Sequence, residues 1–321
     1  MSSENVITNS VNAPRPKERA SISFANRLQK NFKLLGGQYD QMNSIDRAMK
    51  GTGEPISAGR VPVGDIEMYF EIHGQGEPLL MIMGLGGHSL DWGWIVPRRL
   101  AERYMVILFD NRGAGRSDQP PGPLTIEQMA KDAAGLLDAL GIDHAHVFGG
   151  SMGGMIALQM ALDYPERVDK LVLGGTTAGG NSRTHPPPEI QKYFYPRTDL
   201  SAHDYLWWTG AVCYPQEFIE AHPDIVERKI QANLAFPGTL AAYEAQLEAF
   251  NKFDVEGRLG FIRAPTMVII GNRDVLIPPP NSFEIARKIP GAQMREIEGA
   301  GHIFWISHPE ETVSIVKEFL G

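Results

Sequence analysis

A single cysteine, Cys213, stands among the 321 residues, so no internal disulfide can form and a disulfide-stapled secreted scaffold is excluded. No apolar run approaches the roughly 18 residues of a membrane span. The opening MSSENVITNSVNAPRPKER lacks the apolar centre of a secretory signal. Positive charge is also in deficit: 30 Lys and Arg face 38 Asp and Glu, a net of −8. Nucleic-acid binders ordinarily present a basic face, so no nucleic-acid partner is expected. Missing too are metal-ligand spacings, the Gly-x-x-x-x-Gly-Lys-Ser/Thr phosphate loop and a dinucleotide fingerprint opening a βαβ unit. The expectation is a cytoplasmic globular protein with no membrane span, no cofactor and no metal.

What is present divides in two. Residues 1–60 carry nine basic and five acidic side chains, against the acidic balance of the rest. Residues 1–20, rich in Ser, Asn, Pro and charge, read as a disordered tail. SFANRLQKNFKLL follows, with Phe24, Leu28, Phe32 and Leu35 on one helical face and Arg27, Lys30 and Lys33 between them. That is an amphipathic helix with Ser21 or Ser23 as N-cap. It is expected to pack on its own chain or on a dimer mate, so a homodimer is one arrangement to test. Contact with a membrane surface or a partner is the second reading.

From Val61 onward, short apolar runs alternate with helical stretches, the pattern of an α/β fold: a mostly parallel central sheet with helices on both faces. Strands are expected at Ile66–Glu71, Leu79–Met83, Met105–Asp110, Ala145–Phe148, Lys170–Leu173, Thr266–Ile270 and Gln293–Ile297. Helices are expected at Thr125–Leu140, Met152–Asp163, Ser282–Lys288 and Glu310–Phe319. Runs such as LLMIM, MVILF and TMVII are apolar throughout, as strands covered on both faces must be. Residues 181–259 break the rhythm, being far longer than an ordinary connection. They are aromatic-rich and helical in pattern, and read as a cap over the C-terminal edge of the sheet, where open α/β sheets bind ligands. The domain reading is thus an extension at 1–60, a core at 61–180 and 260–321, and a cap at 181–259.

The strongest chemical signal is Gly149-Gly-Ser-Met-Gly153, entered from a strand and followed at once by the helix-like MIALQMALDY. Gly-x-Ser-x-Gly in that setting is a sharp strand-to-helix turn that lifts Ser151 toward solvent. A serine hydroxyl is a weak nucleophile until a base takes its proton. Of nine histidines, His302 follows the last strand in the glycine-rich loop EGAGH, and His88 is its only rival. The imidazole needs an acid to fix its tautomer. Asp274 ends GNRD directly after the strand Thr266–Ile270, and the preceding strand runs into GGTTAGG, which has no carboxylate. The order Ser151, Asp274, His302 follows. Backbone N–H groups of Met152, after the nucleophile, and of Leu85, in the loop after Leu79–Met83, are the expected oxyanion donors. Gly84, His88, Trp207, Trp208 and Ile303 are expected around the substrate pocket. Asp110-Asn-Arg-Gly-Ala-Gly-Arg-Ser-Asp118 reads as a tight turn pinned by charge.

MGLGG at 83–87, DNRGAGRSD at 110–118, GGSMGG at 149–154, GNRD at 271–274 and GAGH at 299–302 together resemble the α/β-hydrolase fold family over residues 61–321. DNRGAGRSD and GGSMGG look most like its esterase and enol-lactonase branch. Many members have His-Gly where Met83-Gly84 stands, a departure of little weight when the oxyanion donors are backbone. The resemblance is silent about residues 1–60. It implies acyl chemistry, since members that dehalogenate or open epoxides use an Asp nucleophile. An ester or lactone hydrolase acting on a small to medium apolar acyl substrate is the first expectation. A carbon–carbon bond hydrolase, an acyltransferase or a perhydrolase-like enzyme with the same triad is the second, and a non-enzymatic binding module the third.

Overall fold

The computed structural model describes residues 55–321, and the tail and amphipathic helix expected within 1–54 lie outside them. Eight strands form one sheet: β1 (Ser57–Val63), β2 (Ile66–His73), β3 (Glu77–Ile82), β4 (Tyr104–Phe109), β5 (Ala145–Gly150), β6 (Val168–Gly174), β7 (Thr266–Gly271) and β8 (Gln293–Ile297). Their spatial order is β1-β2-β4-β3-β5-β6-β7-β8. β1 and β2 pair antiparallel and β2 runs antiparallel to β4. Every other neighbouring pair is parallel. The mostly parallel sheet expected from the apolar runs is therefore present, with β1 as an added edge strand that begins four residues before Val61.

Parallel strands need covering on both sides, and helices supply it. α1 (Ile95–Leu100), α2 (Ile126–Ala139) and α3 (Met152–Asp163) lie between strands of the first half. The helix expected at Met152–Asp163 has those bounds. α3 is buried almost all round, from Met152 to Ala161, so it has no polar face to fray toward water. α2 instead is amphipathic and starts on Thr125, whose side chain accepts the Gln128 N–H.

The stretch between β6 and β7 carries α4 (Pro188–Gln191), α5 (Ala202–Cys213), α6 (Gln216–Ala221), α7 (Pro223–Ala235) and α8 (Leu240–Lys252). Ser201 and Thr239 cap α5 and α8 through their side chains. α9 (Pro280–Lys288), α10 (Phe304–Ser307) and α11 (Pro309–Leu320) complete the chain. No helix among the described residues is long and apolar enough to cross a membrane.

The sheet order also locates the working edge. Leaving β3, the chain pairs β4 on one side and β5 on the other. A topological switch point therefore lies beyond the C-terminal ends of β3 and β5, the place where open α/β sheets open a ligand crevice.

Candidate active site

Ser151 follows β5 directly, with φ 57° and ψ −126°. It is the only non-glycine residue with positive φ among those described, a conformation that costs an L residue about 1–3 kcal/mol. The strain is held by close packing. The Ser151 N–H donates to Gly174 O at 2.8 Å and Ser151 O accepts from Gly154 N–H at 2.8 Å. A Cβ on Gly153 would fall 1.9 Å from Ile82 O, and one on Gly84 would fall 2.8 Å from Ser151 Cβ. The glycines thus let three chain segments close around one serine.

The other two side chains come from neighbouring strands. β7 ends at Gly271 and the tight Gly271-Asn-Arg-Asp274 turn brings Asp274 back under the edge, closed by Asp274 N–H to Gly271 O. Asp274 is buried. Its Oδ1 accepts the Leu276 and Ile277 N–H groups, each at 2.9 Å, and its Oδ2 lies 2.6 Å from His302 Nδ1. The loop after β8 is laced to that turn: Arg273 N–H donates to Ala300 O and Gly299 N–H to Asn272 Oδ1, both at 2.9 Å. His302 Nε2 then stands 3.0 Å from Ser151 Oγ. Ile303, the next residue, donates its N–H to Cys213 O at 3.1 Å, which ties the loop to the end of α5.

This constellation can do acid–base work on a hydroxyl. A buried carboxylate that accepts from Nδ1–H leaves the Nε2 lone pair facing Oγ, the tautomer needed for proton removal. Met152 opens α3, so its N–H belongs to the first turn, whose amides lack helical partners.

Sequence expectations fare differently. Ser151 and Asp274, far apart in the chain, both lie within hydrogen-bond reach of His302, one at each ring nitrogen. Gly84 presses on Ser151, and Leu85 follows it at the sheet edge. His88 engages one ring nitrogen: its Nδ1 accepts the Leu90 N–H at 3.3 Å, capping the short helix Ser89–Trp92. Its buried Nε2 has no hydrogen-bond partner among the described residues, and its ring meets Phe236 edge-on at 6.1 Å. Trp207 donates to Glu227 Oε2 at 2.8 Å and Trp208 stacks on Tyr193 at 4.1 Å. Those partners lie within the insertion, so neither tryptophan is joined to the Ser151 cluster by a hydrogen bond or ring contact.

Residues not assigned to the site from sequence also surround it. Trp305 and Trp92, both buried, pack at 5.2 Å, and a Cβ on Gly150 would touch each at 3.1 Å. Asp110 is pinned as its turn requires, accepting Ser89 N–H and Arg116 N–H at 2.8 Å each. Asn111 Nδ2 donates to Met83 O at 2.8 Å, buttressing the loop after β3. Arg116 lies 3.5 Å over the Tyr69 ring and pairs with Glu71. Burial alone would raise the Glu71 pKa, but its bonds to His73 and Tyr69 and the Arg116 charge hold it at about 2. Among the described residues, no group of three or more His, Cys, Asp or Glu is placed to hold a metal ion.

Comparison with known proteins agrees with this fold. A family model described as alpha/beta hydrolase fold matches residues 77–200. A putative carbamate hydrolase RutD from Azorhizobium caulinodans is 34% identical over 259 residues, 80% of this chain and 96% of that protein. The enol-lactonase from Burkholderia xenovorans superposes with a TM-score of 0.72 at 26% identity, covering 82% of this chain and 99% of the other. A thermophilic esterase from Thermogutta terrifontis gives 0.70 at 28% identity, covering 82% and 98%.

Proposed function

The chain belongs to the α/β-hydrolase fold family, and from that premise we propose that this hydrolase cleaves a carboxylic ester or lactone through Ser151, His302 and Asp274. The observation that carries the proposal is the relay itself: Ser151 Oγ to His302 Nε2 at 3.0 Å, and His302 Nδ1 to Asp274 Oδ2 at 2.6 Å. It is built on a strained turn beside a topological switch point.

His302 Nε2 takes the Ser151 proton as Oγ attacks the substrate carbonyl. The N–H groups of Met152 and Leu85 receive the negative oxygen, each donor being worth about 3 kcal/mol of transition-state stabilisation. The tetrahedral adduct collapses to an acyl-enzyme as the imidazolium gives its proton to the leaving alkoxide. Water, deprotonated by His302, then attacks the acyl carbon, and Ser151 recovers its proton as the acid leaves. Residues 181–259 act as the cap that roofs an apolar acyl pocket. The enol-lactonase and esterase among the structural relatives support an ester or lactone substrate. The carbamate hydrolase name of the sequence relative favours a second reading, a carbamate opened by the same steps.

The test is hydrolysis of p-nitrophenyl esters of increasing acyl length, and of p-nitrophenyl carbamates, by the wild type and Ser151→Ala. Ester turnover that peaks at one chain length and is lost in Ser151→Ala is expected. Turnover that survives the substitution removes Ser151 as nucleophile. A preference for the carbamates moves the assignment to the second reading.

A further inference from the structure

The loop from Gly84 to His88, on the proposed reading, supplies one oxyanion donor, and its amides are committed in a particular way. Gly87 N–H donates to Gly84 O at 3.1 Å, Gly86 N–H to Gln246 Oε1 at 2.8 Å, and His88 N–H to Asp91 Oδ2 at 2.9 Å. Among the described residues the Leu85 N–H makes no hydrogen bond. Gly84 C=O and Leu85 N–H share one planar trans peptide and point opposite ways. Fixing Gly84 O by the Gly87 N–H therefore also fixes the direction of the Leu85 N–H.

Two of these three anchors depend on the insertion and not on the sheet. Gln246, on α8, is fully buried. While its Oε1 takes the Gly86 N–H, its Nε2 donates to Arg112 O at 2.8 Å, so the amide is held from both ends. Tyr243, one turn earlier, lays its ring against Gly86, where a Cβ would come within 2.8 Å of it. Asp91 is gripped in turn from α7: its Oδ1 receives Lys229 Nζ and Asn233 Nδ2, each at 2.7 Å. Its backbone oxygen accepts Trp305 Nε1 at 3.0 Å, three residues beyond His302. Burial alone would raise the Asp91 pKa, but the Lys229 charge and its neighbours hold it below the usual carboxylate range.

We propose that Gln246 and the Asp91–Lys229 pair are positioning residues, through which α8 and α7 hold the Gly84–His88 loop in the conformation that leaves the Leu85 N–H free for the oxyanion. The insertion then shapes the transition-state site as well as covering the substrate. Loss of either grip weakens the transition state more than the bound ester, so the loss falls in kcat and not in KM.

The experiment measures kcat and KM for p-nitrophenyl acetate in the full-length wild type, Gln246→Met and Lys229→Met, with circular dichroism confirming that each is folded. Removal of a whole oxyanion donor costs roughly 100- to 1,000-fold in kcat, and a displaced donor is expected to cost at least roughly tenfold, with KM within about threefold of wild type. The proposal rests on the Ser151 reading, so loss of turnover in Ser151→Ala is the control for that reading alone. If the control fails, the hydrolase reading falls and this one with it. With the control met, a loss confined to KM overturns the positioning role, as does kcat within about threefold of wild type in the folded variants. If Gln246→Met does not fold, Lys229→Met decides, because it loosens the other end of the same loop.

Discussion

Ser151 occupies a backbone conformation that L side chains resist, and the atoms around it explain why it stays there. Gly153 passes so near Ile82 O that even a methyl group has no room. Gly153→Ala is therefore expected to destabilise the protein by about 3 kcal/mol through overpacking, read as a lowered urea midpoint. Wild-type stability in that variant would mean that the turn is looser than its contacts imply. Asp274 makes the converse case, where geometry can be kept and chemistry changed. In Asp274→Asn the amide can still meet the loop, but it presents a donor to His302 Nδ1 and favours the wrong tautomer. Ester turnover should fall on the order of 10,000-fold with little change in melting temperature. A fall of less than about tenfold would remove Asp274 from the relay. Both residues were legible in the sequence, because a strand-to-helix GxSxG and an Asp or His just past a strand end are local patterns. His88 was read as a rival base and as a pocket residue, and its Nδ1 caps a helix.

At the scale of elements, β3, β4 and β7 were readable because each carries an unbroken apolar run, LLMI, MVILF and MVII. β1 was not: SAGRVPV holds a glycine and a proline, and it survives as an edge strand, where a residue without an N–H such as Pro62 is tolerated. The insertion could be recognised by its length and aromatic content, yet its grip on the loop could not. Gln246 lies 160 residues from Gly86, and Asn233 lies 142 from Asp91; no periodicity encodes such pairs. The Asp91–Lys229 pair makes an energetic prediction of its own. Lys229→Met strands a buried carboxylate and should cost about 3 kcal/mol of stability. Adding Asp91→Asn should recover part of that loss, because the stranded charge is gone. A double variant no more stable than Lys229→Met, by urea unfolding, would show that the charge is not what matters.

For the whole molecule, the acidic balance of the sequence hides how unevenly its carboxylates are placed. Glu71 is buried beside Arg116 and titrates at about 2 when folded, against 4.5 for a free side chain. A depressed carboxylate gives stability that is complete above its unfolded pKa and is lost as pH falls through the folded one. Glu71 should thus contribute up to about 3 kcal/mol near neutral pH, with the loss running from 4.5 down to about 2. The stability gap between wild type and Glu71→Gln should narrow across that window. A gap that stays constant would mean that folding leaves the Glu71 pKa unshifted. The Asp110–Arg116 pair was legible as a charge-pinned turn, but its partnership with Glu71 was not, since it forms only when β2 meets the turn after β4.

Ser151 Oγ is the attacking atom of the proposed mechanism, and covalent capture tests it directly. Wild type and Ser151→Ala would be incubated with a fluorophosphonate, which forms a stable phosphorus–oxygen bond to an activated serine with loss of fluoride, and then digested for peptide mass spectrometry. One adduct on the peptide carrying Ser151 in the wild type, with none in Ser151→Ala, is the predicted result. An unlabelled wild type, or label that persists elsewhere after the substitution, would contradict it.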